Sequence, residues 1–154
     1  ITEVADAPSY DQRFYWDVGN PKDLDGLKTE WKARQNDICN SLLAPSDWRV
    51  VRAAELGQAV ASTWLTYRGA VRSACNTRQS EINAVTTVEA LKELFFGAAT
   101  ITRQKTDADG KGIVEPDTIT AEDGLERTNP VAGDPVMETV ANPALATAWP
   151  NTPT

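Results

Sequence analysis

The sequence predicts a mainly α fold: an antiparallel helical hairpin plus a short third helix, with an extended N-terminal arm and a β-hairpin and extended C-terminal tail. Three observations carry this reading. Apolar residues recur at helical spacing over two long stretches, roughly 21–43 and 58–85. A Thr-Thr-Val-Glu start at Thr86 and a stop at Gly97 bracket a third, shorter stretch. Every aromatic residue except Trp149 lies in residues 1–97, whereas residues 98–154 hold nine acids against four bases and six of the nine prolines. Only the first part therefore has the material for a core. The expected division is an aromatic arm over 1–20, a helical domain over 21–97, and a hairpin with an acidic, Pro-rich tail over 98–154.

The arm carries Tyr10, Phe14, Tyr15 and Trp16 in a seven-residue run. Rings bury large area at low entropic cost, so they either dock on a neighbour or cap the helices of the same chain. Asn20-Pro21 reads as a helix start, Asn as N-cap and Pro in the first turn, with Asp23 and Asp25 where the helix dipole favours acids. Leu24, Leu27, Trp31, Ile38 and Leu42, with Cys39 and Leu43 beside them, form one apolar face. Ala44-Pro45 is expected to end that helix. Ser46-Asp47-Trp48 opens a connection in which Trp48 folds back and Val50 and Val51 add a small contact, until Gly57 breaks the chain.

The second helix has a seam spaced alternately by four and three: Trp64, Arg68, Val71, Cys75, Arg78, Ile82, Val85. Two arginines on an apolar seam leave charged stems for a partner or for snorkelling. The seam could also pair with copies of itself. Thr86 and Glu89 match a capping box ahead of Leu91, Leu94 and Phe95. Beyond Gly97, two β-rich runs, 99–104 and 113–120, flank Asp109-Gly110 and are expected to pair as a hairpin. Residues 121–154 read as extended chain anchored at Trp149-Pro150.

Composition restricts the chemistry. The 154 residues carry a net charge of −7 and no histidine. An acidic chain does not suit a phosphate backbone, so no nucleic-acid partner is expected. No apolar run reaches the ~18 residues that would span a bilayer, so no membrane partner is expected. Without histidine the Ser-His and Cys-His pairs and most zinc sites are absent. Cys39 and Cys75 read as reduced core residues, with an inter-helix disulfide as the other possibility. Asp107, Asp109 and Gly112 fit three positions of a calcium loop. Lys111 and Thr118 stand where two further ligands belong, so a turn is expected instead. No nucleophile elbow, phosphate loop or dinucleotide fingerprint occurs. No enzyme, cofactor or metal is expected. Arg49, Arg52, Arg68, Arg72 and Arg78 serve either a solvated face with internal ion pairs or the capture of an acidic protein segment, the chain's own tail included.

Two segments suggest a family. Trp31, Arg34-Gln35-Asn36 and Leu42-Leu43-Ala44-Pro45-Ser46-Asp47-Trp48, followed by Trp64-Leu65-Thr66-Tyr67-Arg68 and Val71-Arg72, resemble the bacteriophage tail assembly chaperone family. Its members carry an RxxRN-like segment, then LLxxSDW, WxxYRxxLR and a terminal WP, which Trp149-Pro150 resembles. The match covers residues 10–95 and the Trp-Pro pair. Gln35 and Val71 depart from the pattern, and the stretch between the third helix and Trp149 is longer than the family usually has. The resemblance implies a small non-enzymatic phage protein contacting tail or tail-fibre components. It would reside in the virion tail and in the host cytoplasm during assembly. The long coreless stretch favours a built-in tail component over a transient assembly chaperone. The expected contact residues are Tyr10, Phe14, Tyr15, Trp16, Trp48, Trp64, Tyr67, Arg68, Arg72 and Trp149.

Overall fold

Asp23, not Asn20, starts the first helix. In the computed structural model, which describes residues 9–154, a tight turn at Gly19 (φ +74°) joins strands β1 (Tyr15–Asp17) and β2 (Asn20–Pro21). Asn20-Pro21 is thus spent on a small antiparallel pair. The Asp23 carboxylate accepts the Gly26 N–H at 2.9 Å and caps α1 (Leu24–Leu43). The expected arm over 1–20 lies outside the described residues as far as residue 8.

Helix α1 ends at Leu43, before Ala44-Pro45 as expected, but helical structure continues. Pro45 occupies the second position of a single 3-10 turn, Ala44–Ser46, still within its first turn, where its missing N–H leaves no bond unmade. The chain then forms α2 (Asp47–Leu56), a helix where only a connection was expected. Gly57 ends α2 in the left-handed conformation (φ +62°), and the Gln58 N–H returns to the Ala53 carbonyl at 2.9 Å. The second long helix is α3 (Ser62–Ala84), and the short α4 spans Val88–Phe96. The cap of α4 is Thr87, which accepts the Ala90 N–H at 3.0 Å. The capping box expected at Thr86 and Glu89 is out of register by one residue, and Glu89 accepts a hydrogen bond from the Tyr15 hydroxyl at 2.7 Å.

The chain is α-rich with small antiparallel strand pairs. Along α1 and α3, Lys28 reaches the Asn83 carbonyl, Gln35 meets Arg78, and Arg68 reaches the Leu43 carbonyl, so numbers rise in one helix as they fall in the other. Two apolar clusters result. The first joins Phe14, Leu27, Trp31, Ile82, Val88, Leu91 and Leu94. The Trp31 ring is stacked on Phe14 at 5.3 Å and on Phe95 at 4.9 Å. The second joins Cys39, Tyr67, Val71 and Cys75, with Trp64 and Trp149 packed against it. Each fully buried aliphatic side chain here contributes about 1.5–3 kcal/mol relative to exposure.

Residues 144–154 belong to the same compact unit as residues 9–97. Trp149 is not their only anchor. Ala146 donates to the Leu94 carbonyl at 2.8 Å, and both the N–H and the hydroxyl of Thr147 bond to the Glu81 carboxylate. The second unit, residues 98–143, is a two-stranded ribbon. Its two β-rich runs do not pair with each other. Strand β3 (Thr100–Gln104) pairs with β6 (Met137–Ala141), and β4 (Thr118–Thr120) pairs with β5 (Glu126–Thr128). The runs are successive segments of one edge, and residues 106–112 make a local excursion between them, closed by the Thr106–Gly112 bridge. The chain reverses instead near Gly124 (φ +80°). No apolar residue of this unit is buried, and its two buried side chains are Asn129 and Asn142.

Candidate partner-binding surface

The segments 42–48 and 67–68 converge on one buried side chain. Arg68 projects from α3 and donates to the Leu43 carbonyl (2.9 Å), the Ser46 hydroxyl (2.7 Å) and the Asp47 carboxylate (2.8 Å). The Ser46 hydroxyl in turn donates to Leu43 at 3.0 Å and is fully buried. One residue earlier, the Tyr67 hydroxyl reaches the Leu42 carbonyl at 3.4 Å. A planar guanidinium with a fixed fork of donors can satisfy the carbonyl end of α1 and the start of α2 together, which a lysine could not. The seam arginine is thus a clamp that fixes where α2 leaves α1.

What the clamp presents is a helix with no buried residue. Trp48 is 51% exposed, Val51 and Leu56 are 56% exposed, and Val50 lies beside them. Arg49 lies over the Trp48 ring at 4.6 Å and the Trp64 ring at 4.3 Å, so its guanidinium bridges α2 to α3 through two aromatic faces. Its Nε is buried and without a hydrogen-bond partner. A shallow groove beside it is lined by Trp48, Arg52, Ala53 and the segment Gln58 to Ala61. Apolar rings and arginines together, on a helix that is not covered, are the composition of interface anchors.

The expected contact residues divide by exposure. Trp16 and Trp48 are exposed, as is Arg72; Tyr10, Tyr15, Trp64 and Trp149 are half-buried. Phe14, Tyr67 and Arg68 are buried within the helical unit. Lys22 covers the Trp16 ring at 4.8 Å. Read as a connection, residues 47–57 give Val51 only a small contact and leave Leu56 without a role. Asp47 in a first turn, with Trp48, Val51 and Glu55 at helical spacing, was the signal for the helix.

Local electrostatics are governed by a few close pairs. The Arg13 guanidinium, bonded to both oxygens of Asp11, holds that carboxyl down to about 2. The Tyr15 hydroxyl donates to Glu89, which lowers the carboxyl and raises the phenol. Burial raises the Cys39 thiol, and burial lowers Arg78, which bonds to Gln35 Oε1 and to the Thr147 carbonyl. Cys39 and Cys75 are both free thiols. Asp107 Oδ1, the first position of the calcium-like loop, accepts the N–H groups of Asp109 and Lys111, which accounts for that loop as a turn. Among the described residues no group of His, Cys, Asp and Glu is placed to hold a metal ion, and no helix is long and apolar enough to cross a membrane.

Comparison with known protein families, curated proteins and solved structures finds no match to this chain.

Proposed function

We propose that the chain is a non-enzymatic bacteriophage tail protein, a structural component of the tail, tail-fibre or baseplate apparatus that binds neighbouring subunits. Its helical hairpin and extended segments are the contact elements, its place is the virion tail, and its partners are other tail or tail-fibre proteins or further copies of itself. The observation that carries the reading is α2, which offers Trp48, Val51 and Leu56 to solvent and has no fully buried residue. A ten-residue helix is below the ~12–15 residues at which isolated helices become stable, so this one depends on its clamp and gains from a partner. The ribbon of residues 98–143 supports the same reading, because a β-ribbon without an apolar core is marginal in water. The family-like Leu42-Leu43, Ser46-Asp47 and Tyr67-Arg68 segments meet at the clamp that presents α2.

The second reading is a transient tail or tail-fibre assembly chaperone absent from the mature virion. It is favoured by the return of Ala146, Thr147 and Trp149 onto the helices, which completes that unit without a neighbour. A photo-crosslinking residue at position 51, used during particle assembly, tests the common element. Crosslinks to tail or fibre subunits are expected, and α2 without any crosslinked partner would remove the basis of both readings.

A further inference from the structure

A second feature stands apart from α2 and does not depend on the phage reading. A cavity of about 480 Å³ opens between α1, the end of α4 and the middle of α3. Its walls include Trp31, Phe95 and Phe96, with Ile38 and Phe96 at the open rim, 38% and 44% exposed. Three arginines line it. Arg13 lies over the Phe96 ring at 3.7 Å and is paired with Asp11; Arg34 lies over Trp31 at 4.6 Å and is paired with Glu30. Arg78 is different. It is half-buried, lies between the Phe95 and Trp149 rings at 5.4 and 5.0 Å, and makes no ion pair among the described residues. Its Nε and one terminal nitrogen bond to Gln35 and Thr147, and the other terminal nitrogen has no acceptor among the described residues.

Two of the lining residues, Arg78 and Trp31, have polar capacity to spare. The Arg78 guanidinium is partly desolvated and feels the Glu81 carboxylate without a contact ion pair, so a carboxylate arriving in direct contact is favoured. The indole Nε1 of Trp31, a residue 6% exposed, is buried with no acceptor at all, a state that costs free energy. The remaining acids near the cavity make no contact ion pair with Arg78, and Glu81 offsets its charge only in part. Asp11 and Glu30 are occupied, Glu81 is bonded to Thr147, and Asp37 is an exposed residue on the rim.

We propose that this cavity binds a peptide segment of a partner protein through a carboxylate side chain next to an aromatic one, the carboxylate on Arg78 and the ring against Phe95 and Phe96. The charged edge supplies selection for acid over amide, and the aromatic wall supplies the contact area. Asp37 at the rim selects against segments carrying a second acid close by.

The test uses the full chain labelled with ¹⁵N and follows the indole N–H signal of Trp31, assigned by its loss in Trp31→Phe. Two small probes are compared, 3-phenylpropionate and its neutral amide, with the dipeptide N-acetyl-Glu-Phe-amide as a third. The acid is expected to move the Trp31 signal with affinity about ten-fold or more above that of the amide, the worth of one charge-assisted hydrogen bond. The dipeptide is expected to bind more tightly than the free acid. Arg78→Gln should remove the preference for acid. Since Arg78 also holds Gln35 and Thr147, Ile38→Glu serves as an independent variant: it places a repelling charge at the rim and leaves those bonds intact. Equal shifts from acid and amide, no shift from either, or full binding by Ile38→Glu would overturn the site. A free acid that binds as well as the dipeptide would overturn the peptide as its occupant.

Discussion

Replacing Arg68 with alanine tests the clamp most sharply. The substitution removes donors from three acceptors at 2.7–2.9 Å. Asp47 is 60% exposed in its side chain and can rehydrate, so its share is about 0–1 kcal/mol. Leu43 keeps the bond from the Ser46 hydroxyl. Ser46 is fully buried and its oxygen loses the donor from Arg68, which costs about 1–3 kcal/mol. With the buried stem of Arg68 also gone, the total comes to about 2–4 kcal/mol. In a chain of 154 residues that corresponds to a Tm lower by roughly 4–16 °C. Urea and thermal unfolding followed by circular dichroism measure it, with Asp47→Asn as the control that should cost at most about 1 kcal/mol. A loss below about 1 kcal/mol for Arg68→Ala, or a loss equal to that of Asp47→Asn, would refute the clamp.

Other predictions follow from burial and charge. Ile82→Ala, at a fully buried position, should cost about 2–5 kcal/mol, whereas Ile119→Ala in the ribbon, 44% exposed, should stay within about 0.5 kcal/mol; equal losses in denaturant melts would contradict the division into a packed and a coreless unit. Cys39 and Cys75 are buried, and burial raises the Cys39 thiol, so a disulfide-exchange reagent should modify both far faster in denaturant than in buffer at pH 8. Asp11 is depressed from 3.8 to about 2 by Arg13, so its pairing stabilises the fold above the unfolded value and the gain is lost as pH falls through about 2. The stability difference between the native chain and Asp11→Asn should therefore be constant near neutrality and close between pH 4 and pH 2; a difference that persists below pH 2 would contradict it.

Periodicity made the two long helices and the short third one legible, because the seam residues Val71, Cys75 and Ile82 do face the core. Arg68 looked like a break in that seam. It is instead a satisfied core residue, and its partners sit 21–25 residues away, a tertiary fact that spacing does not carry. The helix starts were misplaced by one to three residues because adjacent candidates compete: Asn20 against Asp23, and Thr86 against Thr87. Pro45 hid α2, since a proline between two apolar stretches reads equally as an end or as a first turn. In the ribbon, Asp109-Gly110 gave a true local turn but the wrong strand partners, because register depends on residues as distant as Met137 to Ala141.

The measurement that bears most directly on the proposed role is quantitative mass spectrometry of gradient-purified phage particles. A tail component should appear there at a fixed ratio to the other tail subunits, and a Val51→Glu chain, folded but with α2 spoiled, should be depleted from the same particles. Particles that are complete and infectious yet lack this chain altogether would contradict the account of a built-in component and leave the transient chaperone in its place.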